Sequence, residues 1–135
     1  MVKLIIGKKG TGKTKTLIDL VNTAVTSSKG SVICIEKGAK LNYDINHKAR
    51  LIDTDYFSVD DAQALYGFVA GILASNHDIT EIFIDSALKI CQNKMDEFEK
   101  FVFTVDELSK KLNIDIVMTS SLAVEDCPES LKNFI

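Results

Sequence analysis

This sequence has few of the features that would assign it to a specialised class of protein. It contains 135 residues, of which one is proline, and no apolar run approaches the length that crosses a bilayer. Hydrophobic residues make up 46% and charged residues 26%, with no low-complexity tract. We therefore expect an ordinary globular protein, not one that crosses a membrane, with a single domain spanning residues 1–135.

Cysteine is also scarce and carries no pairing pattern. Cys34, Cys91 and Cys127 are widely spaced, without any Cys-x-x-Cys. This spacing favours reduced, buried thiols over a disulfide framework or a zinc site. The apolar segment Val2–Ile6 is too short for the core of a signal peptide. We therefore expect a cytoplasmic protein.

Arginine is almost absent from the sequence. Of the 16 basic residues only Arg50 is an arginine, and the net charge is −3. A chain with this balance has no global field that attracts nucleic acid, so a nucleic-acid partner is not indicated. Kinases of small acceptors usually clamp the transferred phosphate with several arginines, so the scarcity of arginine also argues against that class.

A glycine-rich stretch near the start of the chain carries the strongest signal. Residues Gly7 to Thr14 read GKKGTGKT, which fits the phosphate-binding spacing Gly-x-x-x-x-Gly-Lys-Ser/Thr. An apolar run precedes it, which predicts a strand. The apolar residues that follow recur at helical spacing: Leu17, Ile18, Val21, Ala24 and Val25. A strand, a glycine-rich turn and a helix form the context of a P-loop, also called a Walker A motif, and make a chance match a poor explanation.

The chemistry of such a loop follows from its backbone. Glycines let successive N–H groups turn inward toward phosphate oxygens, and the helix that opens at about Gly12 adds its positive dipole end. Lys13 is then expected to reach the β- and γ-phosphates, and the Thr14 hydroxyl to ligate Mg²⁺. We therefore predict that nucleotide phosphates bind a set of nine residues: Gly7, Lys8, Lys9, Gly10, Thr11, Gly12, Lys13, Thr14 and Lys15.

Strand and helix patterns alternate along the rest of the chain. Ser58 followed by Asp61 resembles a capping box that opens the second helix. The alternation predicts an α/β fold with a parallel sheet, whose ligands bind at the carboxyl ends of the strands. The predicted strands are 2–6, 31–35, 50–53, 81–85 and 114–118, and the predicted helices are 12–28, 58–73 and 95–112, followed by a loop or short helix past Val124.

Polar residues follow several of these strands. Asp85 comes after the apolar run Ile82–Ile84, which is the position of a Walker B acid that holds Mg²⁺ through water. A cap of the next turn is the alternative role for this aspartate. Glu36 follows the second strand, and Thr119 and Ser120 follow the fifth. All of them are expected at the same rim of the sheet as the P-loop.

In this order of motifs the chain resembles the RecA-like ATPases, over roughly residues 1–121. The resemblance implies a three-layer P-loop NTPase fold, with a five-stranded parallel sheet of order 3-2-4-5-1 and helices on both faces. It also implies that Glu36 is the catalytic glutamate that activates water, acting with Lys13. Asp85 and Thr14 match the positions that hold magnesium. Thr119 or Ser120 matches the polar sensor that contacts the nucleotide.

Other patterns have structural explanations that we favour. Asn93-Lys94-Met95-Asp96 has the spelling of a guanine-reading motif, but its position indicates the start of the third helix. The basic stretch between Lys37 and Arg50 is expected to be a solvated loop. The remaining carboxylates in this region are expected to serve turns and caps: Asp53, Asp55, Asp60 and Asp61.

Together these observations predict a small ATP-binding protein that hydrolyses ATP slowly with Mg²⁺ as cofactor. A small-molecule or nucleoside kinase is the alternative enzyme, and a nucleotide-dependent binding module without turnover is a third possibility. With the order 3-2-4-5-1 the P-loop strand is a sheet edge, and one sheet face carries mainly the first helix. We therefore also expect self-association or an unidentified protein partner.

Overall fold

The computed structural model describes residues 1–135 as one parallel five-stranded sheet with the order β1-β5-β4-β2-β3. Read from the other edge, this is the predicted order 3-2-4-5-1. The strands are β1 (Val2–Gly7), β2 (Ser31–Glu36), β3 (Arg50–Asp53), β4 (Ile79–Ile84) and β5 (Asp115–Ser121). The helices are α1 (Lys13–Ser27), α2 (Ala62–Ser75), α3 (Ala87–Ile90) and α4 (Met95–Leu112), followed by short 3₁₀ turns at Val124–Asp126 and Glu129–Phe134.

Two hydrophobic clusters lie on opposite faces of the sheet, because successive strand residues point to alternate sides. The larger cluster joins α2 and α4 to the strands through residues such as Leu65, Phe98 and Ile82. The smaller cluster joins α1 to the strands through Leu17, and the β2–β3 connection joins it through Leu41. The fold is therefore α/β with helices on both sheet faces, and the face that carries α1 has the thinner cover, as expected.

The start of α2 differs from its prediction. The helix begins at Ala62, and Asp61 is its N-cap, accepting a hydrogen bond of 2.7 Å from the Ala64 N–H. Ser58 lies outside the helix with a left-handed φ of 58°. The capping box was therefore placed three residues too early, because Asp61 supplies the cap itself and does not reach back to Ser58.

The segment after β4 also contains an element that the sequence pattern does not reveal. The four-residue helix α3 separates β4 from α4, and the left-handed residues Gln92 and Asn93 end it. The helix α4 then begins at Met95, so the interpretation of Asn93–Asp96 as a helix start is confirmed. A helix of one turn has no room for an apolar periodicity, which explains why it was missed.

The strand β1 lies at the edge of the sheet, and the C-terminal segment crosses its end. The Leu122 N–H donates to the Gly7 carbonyl at 3.0 Å, and the buried Leu131 packs in the larger cluster. No helix in the chain combines the length and apolarity needed to cross a bilayer. The three cysteines are all free thiols, as expected.

Candidate functional site

The loop between β1 and α1 depends on glycine for its backbone conformation. Gly10 and Gly12 have φ angles of 84° and 86°, in the left-handed region that other residues rarely adopt. A β-carbon on either glycine would meet no protein atom within 4 Å, so conformation and not protein crowding requires them. At Gly7, by contrast, a β-carbon would lie 2.7 Å from the Thr11 hydroxyl oxygen.

The same loop presents unpaired hydrogen-bond donors. None of the backbone N–H groups from Lys9 to Lys15 donates to a protein acceptor, and α1 has no side-chain N-cap. The Lys13 side chain folds back over the loop, and its Nζ donates to the Lys8 carbonyl at 2.8 Å. An arc of free N–H groups at a helix N-terminus, with a lysine beside it, has the donor set of an anion site.

The carboxylate of Asp85, the residue immediately after β4, lies beside the start of α1. The Thr14 hydroxyl is 3.3 Å from Asp85 Oδ1 and 3.5 Å from Oδ2. Asp85 is 9% exposed, and its own N–H donates to the Ile35 carbonyl of β2 at 2.8 Å. The neighbouring strand therefore fixes the backbone of Asp85, and the side chain faces Thr14 and the β1–α1 loop.

Thr119 connects Asp85 to the start of α3. Its hydroxyl donates to Asp85 Oδ1 at 2.7 Å and accepts the Ser86 N–H at 2.9 Å. Ser120 is turned away and engages the Thr119 carbonyl and the Leu88 N–H. Of the two residues matched to the sensor position, only Thr119 therefore lies at the site, where its hydroxyl contacts Asp85.

A cavity of about 550 Å³ lies over these groups at the carboxyl ends of the strands. Five of its lining residues are lysines, against one carboxylate, and none of these lysines takes part in an ion pair. Such a cavity is strongly attractive to an anion. The lining residues are Lys9, Gly10, Gly12, Lys13, Thr14, Lys15, Lys40, Leu41, Asp85, Ser86, Lys89, Asn93, Thr119 and Ser121.

Three of the predicted loop residues do not line this cavity. Gly7 ends β1 below the loop, and the Thr11 hydroxyl donates back to the Lys8 carbonyl at 2.7 Å. The Lys8 ammonium is turned outward, 3.9 Å from a Glu125 carboxylate oxygen. These residues shape the loop, and the cavity wall is built from the others.

Glu36 lies on the strand next to Asp85, as predicted, but each of its carboxylate oxygens accepts a hydrogen bond from the connection that follows β2. Oε1 accepts the Lys40 N–H at 3.1 Å and Oε2 accepts the Leu41 N–H at 3.0 Å. The residue is 2% exposed and does not line the cavity. Burial raises the pKa of the Glu36 carboxyl, the two backbone N–H groups lower it, and the nearby Asp85 charge raises it further.

The cavity also contains residues that the sequence did not reveal as site residues. Lys89 comes from α3, Asn93 from the left-handed pair after it, and Lys40 from the β2–β3 connection. The only available signal was their position after strands whose carboxyl ends lie at the same rim as the β1–α1 loop. The side-chain directions depend on loop conformations that have no periodic pattern.

The acidic residues around β3 serve turns, as expected, and form no metal cage. Asp53 accepts the N–H groups of Gly38 and Asp55 at 2.8 Å, and Asp55 pairs with Lys37 at 2.6 Å. No group of three or more His, Cys, Asp or Glu side chains is arranged to hold a metal ion. A magnesium ion at this site would therefore depend on Thr14 and Asp85 together with ligand and water oxygens.

No protein-family model matches this chain, and no curated protein matches its sequence. The function of the site therefore has to be inferred from the chain's own residues.

Proposed function

We propose that this protein is a RecA-like P-loop ATPase that binds ATP with Mg²⁺ and hydrolyses it slowly. One observation carries the proposal: the Thr14 hydroxyl, at the start of α1, lies 3.3 Å from the Asp85 carboxylate, beside a loop whose N–H groups have no acceptor. A P-loop and a Walker B acid need this juxtaposition, because both contact the same metal and phosphate group.

The phosphate half of the site fits a polyphosphate chain. The free N–H groups of the loop, the N-terminus of α1 and the Lys13 ammonium all present positive charge to the cavity. Its volume of about 550 Å³ lies within the usual range of small-molecule sites, roughly 300–1,000 Å³. The residues of this chain would therefore bind the phosphates chiefly through backbone donors and lysine charge.

Thr14 and Asp85 have the side-chain chemistry of a magnesium site. A hydroxyl and a carboxylate are oxygen ligands of the kind that Mg²⁺ prefers, and Mg²⁺ usually keeps several waters. Thr14 would hold the ion directly and Asp85 through water, with Thr119 fixing the orientation of Asp85. When bound, the ion would neutralise charge on the β- and γ-phosphates.

Hydrolysis rests on Glu36, the carboxylate on the strand beside Asp85. An ionised carboxylate has about four acceptor positions, so two backbone N–H groups leave lone pairs that can orient a water. Its raised pKa brings the group nearer to the operating pH of a general base. Its burial limits the access of water, and we therefore propose slow turnover.

A non-hydrolysing, nucleotide-dependent binding module is the second candidate. The engagement of both Glu36 oxygens with the connection that follows it favours this candidate. The two candidates share the same nucleotide site and differ only in turnover. In either case, the thin cover of the α1 face supports the expectation of self-association or a protein partner, which light scattering with and without ATP would test.

Phosphate release from Mg·ATP tests the enzymatic part of the proposal. We expect slow release by the parent protein and none above background by a Lys13→Ala variant. Binding of ATP without any release would favour the binding module. Faster phosphoryl transfer to a nucleoside or small alcohol than to water would favour a kinase, and competition between ATP and GTP would test the expected preference for ATP.

A further inference from the structure

The β2–β3 connection folds back over the cavity and is anchored there at two points. The Glu36 carboxylate accepts the N–H groups of Lys40 and Leu41, at 3.1 and 3.0 Å. The Leu41 side chain is 4% exposed and packs in the smaller hydrophobic cluster with Leu17. The backbone at Lys40 is therefore held in place, although its side chain is exposed.

Lys40 differs from the other basic residues of this connection. Lys37 is turned to Asp55, with which it pairs at 2.6 Å. Lys48 lies with Arg50 at a different surface depression, at the amino ends of β2 and β3. Lys40 alone among them lines the cavity, and it has no carboxylate partner.

Its place in the fold also separates Lys40 from the lysines of the P-loop. The connection leaves β2, which pairs with β4, so Lys40 approaches the cavity from the side of Asp85. Thr14 and Asp85 are the residues that would hold Mg²⁺, so a terminal phosphate that shares this metal would lie on the same side of the cavity. No arginine can contact the terminal phosphate, because Arg50 is the only arginine in the chain and it begins β3 at the opposite rim of the sheet.

We propose that Lys40 is the cation that contacts the terminal phosphate of the bound nucleotide, and that Glu36 is the residue that positions it. This inference rests on the proposed nucleotide site and adds a specificity to it: Lys40 favours a nucleoside triphosphate over a diphosphate. Glu36 then acts through the backbone of the connection, by holding the Lys40–Leu41 turn against the end of β2.

The ratio of ATP to ADP affinity tests the role of Lys40. Calorimetric titration with Mg·ATP and Mg·ADP should show that Lys40→Ala weakens ATP binding about tenfold, the effect of losing one charged hydrogen bond. The ADP affinity of this variant should stay within about twofold of the parent's, because Lys40 contacts the terminal phosphate of ATP, which ADP lacks. Lys40→Arg should keep most of the ATP preference, and Lys48→Ala, the matched control on the same connection, should keep all of it.

A Glu36→Gln variant tests the positioning role. An amide has one oxygen acceptor, so one of the two N–H groups loses its partner and the turn loosens. We expect the ATP preference to fall several-fold toward that of Lys40→Ala, with the variant still folded by circular dichroism. If turnover falls but the preference for ATP is unchanged, Glu36 acts on water only and its positioning role is wrong.

The possible failures can be told apart. An unchanged ATP-to-ADP ratio in Lys40→Ala, in a parent that binds both nucleotides, overturns the inference and leaves the proposed function standing. A parent protein that binds neither nucleotide overturns the proposed function and the inference together.

Discussion

The Thr14 hydroxyl lies 3.3 Å from Asp85 Oδ1, although the two residues are 71 positions apart in the chain. Parallel pairing explains the contact: β1 and β4 both flank β5, so their carboxyl ends meet at one rim of the sheet. Thr14 reaches this rim from the start of α1, and Asp85 follows β4 directly. The contact joins the β1–α1 loop to the aspartate that, in the proposed function, would hold a metal ion.

Thr119 is expected to control how well Asp85 serves that metal. A Thr119→Val substitution keeps the shape of the side chain but removes the donor to Asp85 and the acceptor for the Ser86 N–H. Residues that orient metal ligands typically change metal affinity about 10–100-fold when altered. The Mg²⁺ concentration that half-saturates ATP binding should therefore rise about tenfold in this variant.

Thr104→Val is the matched control for this experiment, because the Thr104 hydroxyl bonds only to carbonyls within α4. It should leave the magnesium requirement unchanged. An identical magnesium titration for Thr119→Val and the parent would contradict the role assigned to Thr119.

The stability of the fold should depend strongly on the cluster beneath α2 and α4. Phe98 is fully buried in this cluster, so Phe98→Ala should lower the free energy of unfolding by about 3–5 kcal/mol. Phe103, on the same helix, is 42% exposed, and Phe103→Ala should cost much less. Urea denaturation measures both, and equal costs would show that the burial of α4 is wrongly described.

Cysteine reactivity gives a pH-dependent test of burial. Burial raises the pKa of the Cys34 and Cys91 thiols to about 12 from the ordinary 9.0, with nearby carboxylates adding to the shift. At pH 8 their thiolate fraction is then about a thousandfold smaller than in the unfolded chain. A disulfide-exchange reagent should therefore modify these thiols only slowly at pH 8 and rapidly in urea.

The sign of the linkage to stability follows from the same shifts. A raised thiol pKa contributes stability that is fully present below pH 9 and is lost as pH rises from 9 toward 12.

A Cys127→Ser variant is the control for the thiol-reactivity experiment, because it removes the third thiol and leaves only Cys34 and Cys91 to react. Rapid reaction of two thiols in that variant without urea would contradict the burial of Cys34 and Cys91.

Much of the sheet could be predicted from the sequence, because its strands are apolar runs with clear ends. The spacing of residues 7–14 and the position of Asp85 after such a run predicted that Thr14 and Asp85 would lie at one rim of the sheet, and the structure brings them together there. The neighbouring position of Glu36 followed from the strand order that the resemblance implies, and the pairing of β2 with β4 confirms it.

The remaining parts depend on loop conformation, for which the sequence has no periodic signal. The engagement of Glu36 with Lys40 and Leu41 requires the connection to turn back after β2. Gly38, with a φ of 98°, is consistent with a turn there, but the sequence does not indicate which carboxylate accepts the N–H groups that follow it. The short helix α3, which brings Lys89 to the cavity, is likewise too short to show a pattern. The sequence therefore predicted the rim of the sheet but missed six of the fourteen residues that line the cavity.

Nucleotide binding itself is tested most directly by calorimetry on the parent protein and a Lys13→Ala variant. In the proposed site Lys13 would carry the loop's charge toward the β- and γ-phosphates, so its loss should weaken Mg·ATP binding at least tenfold, about 1.4 kcal/mol. Lys29→Ala, at an exposed site after α1, is the matched control and should bind ATP as the parent does. The account predicts binding by the parent and by Lys29→Ala, with a marked loss in Lys13→Ala; equal Mg·ATP affinity in all three proteins, or no binding by the parent, would contradict it.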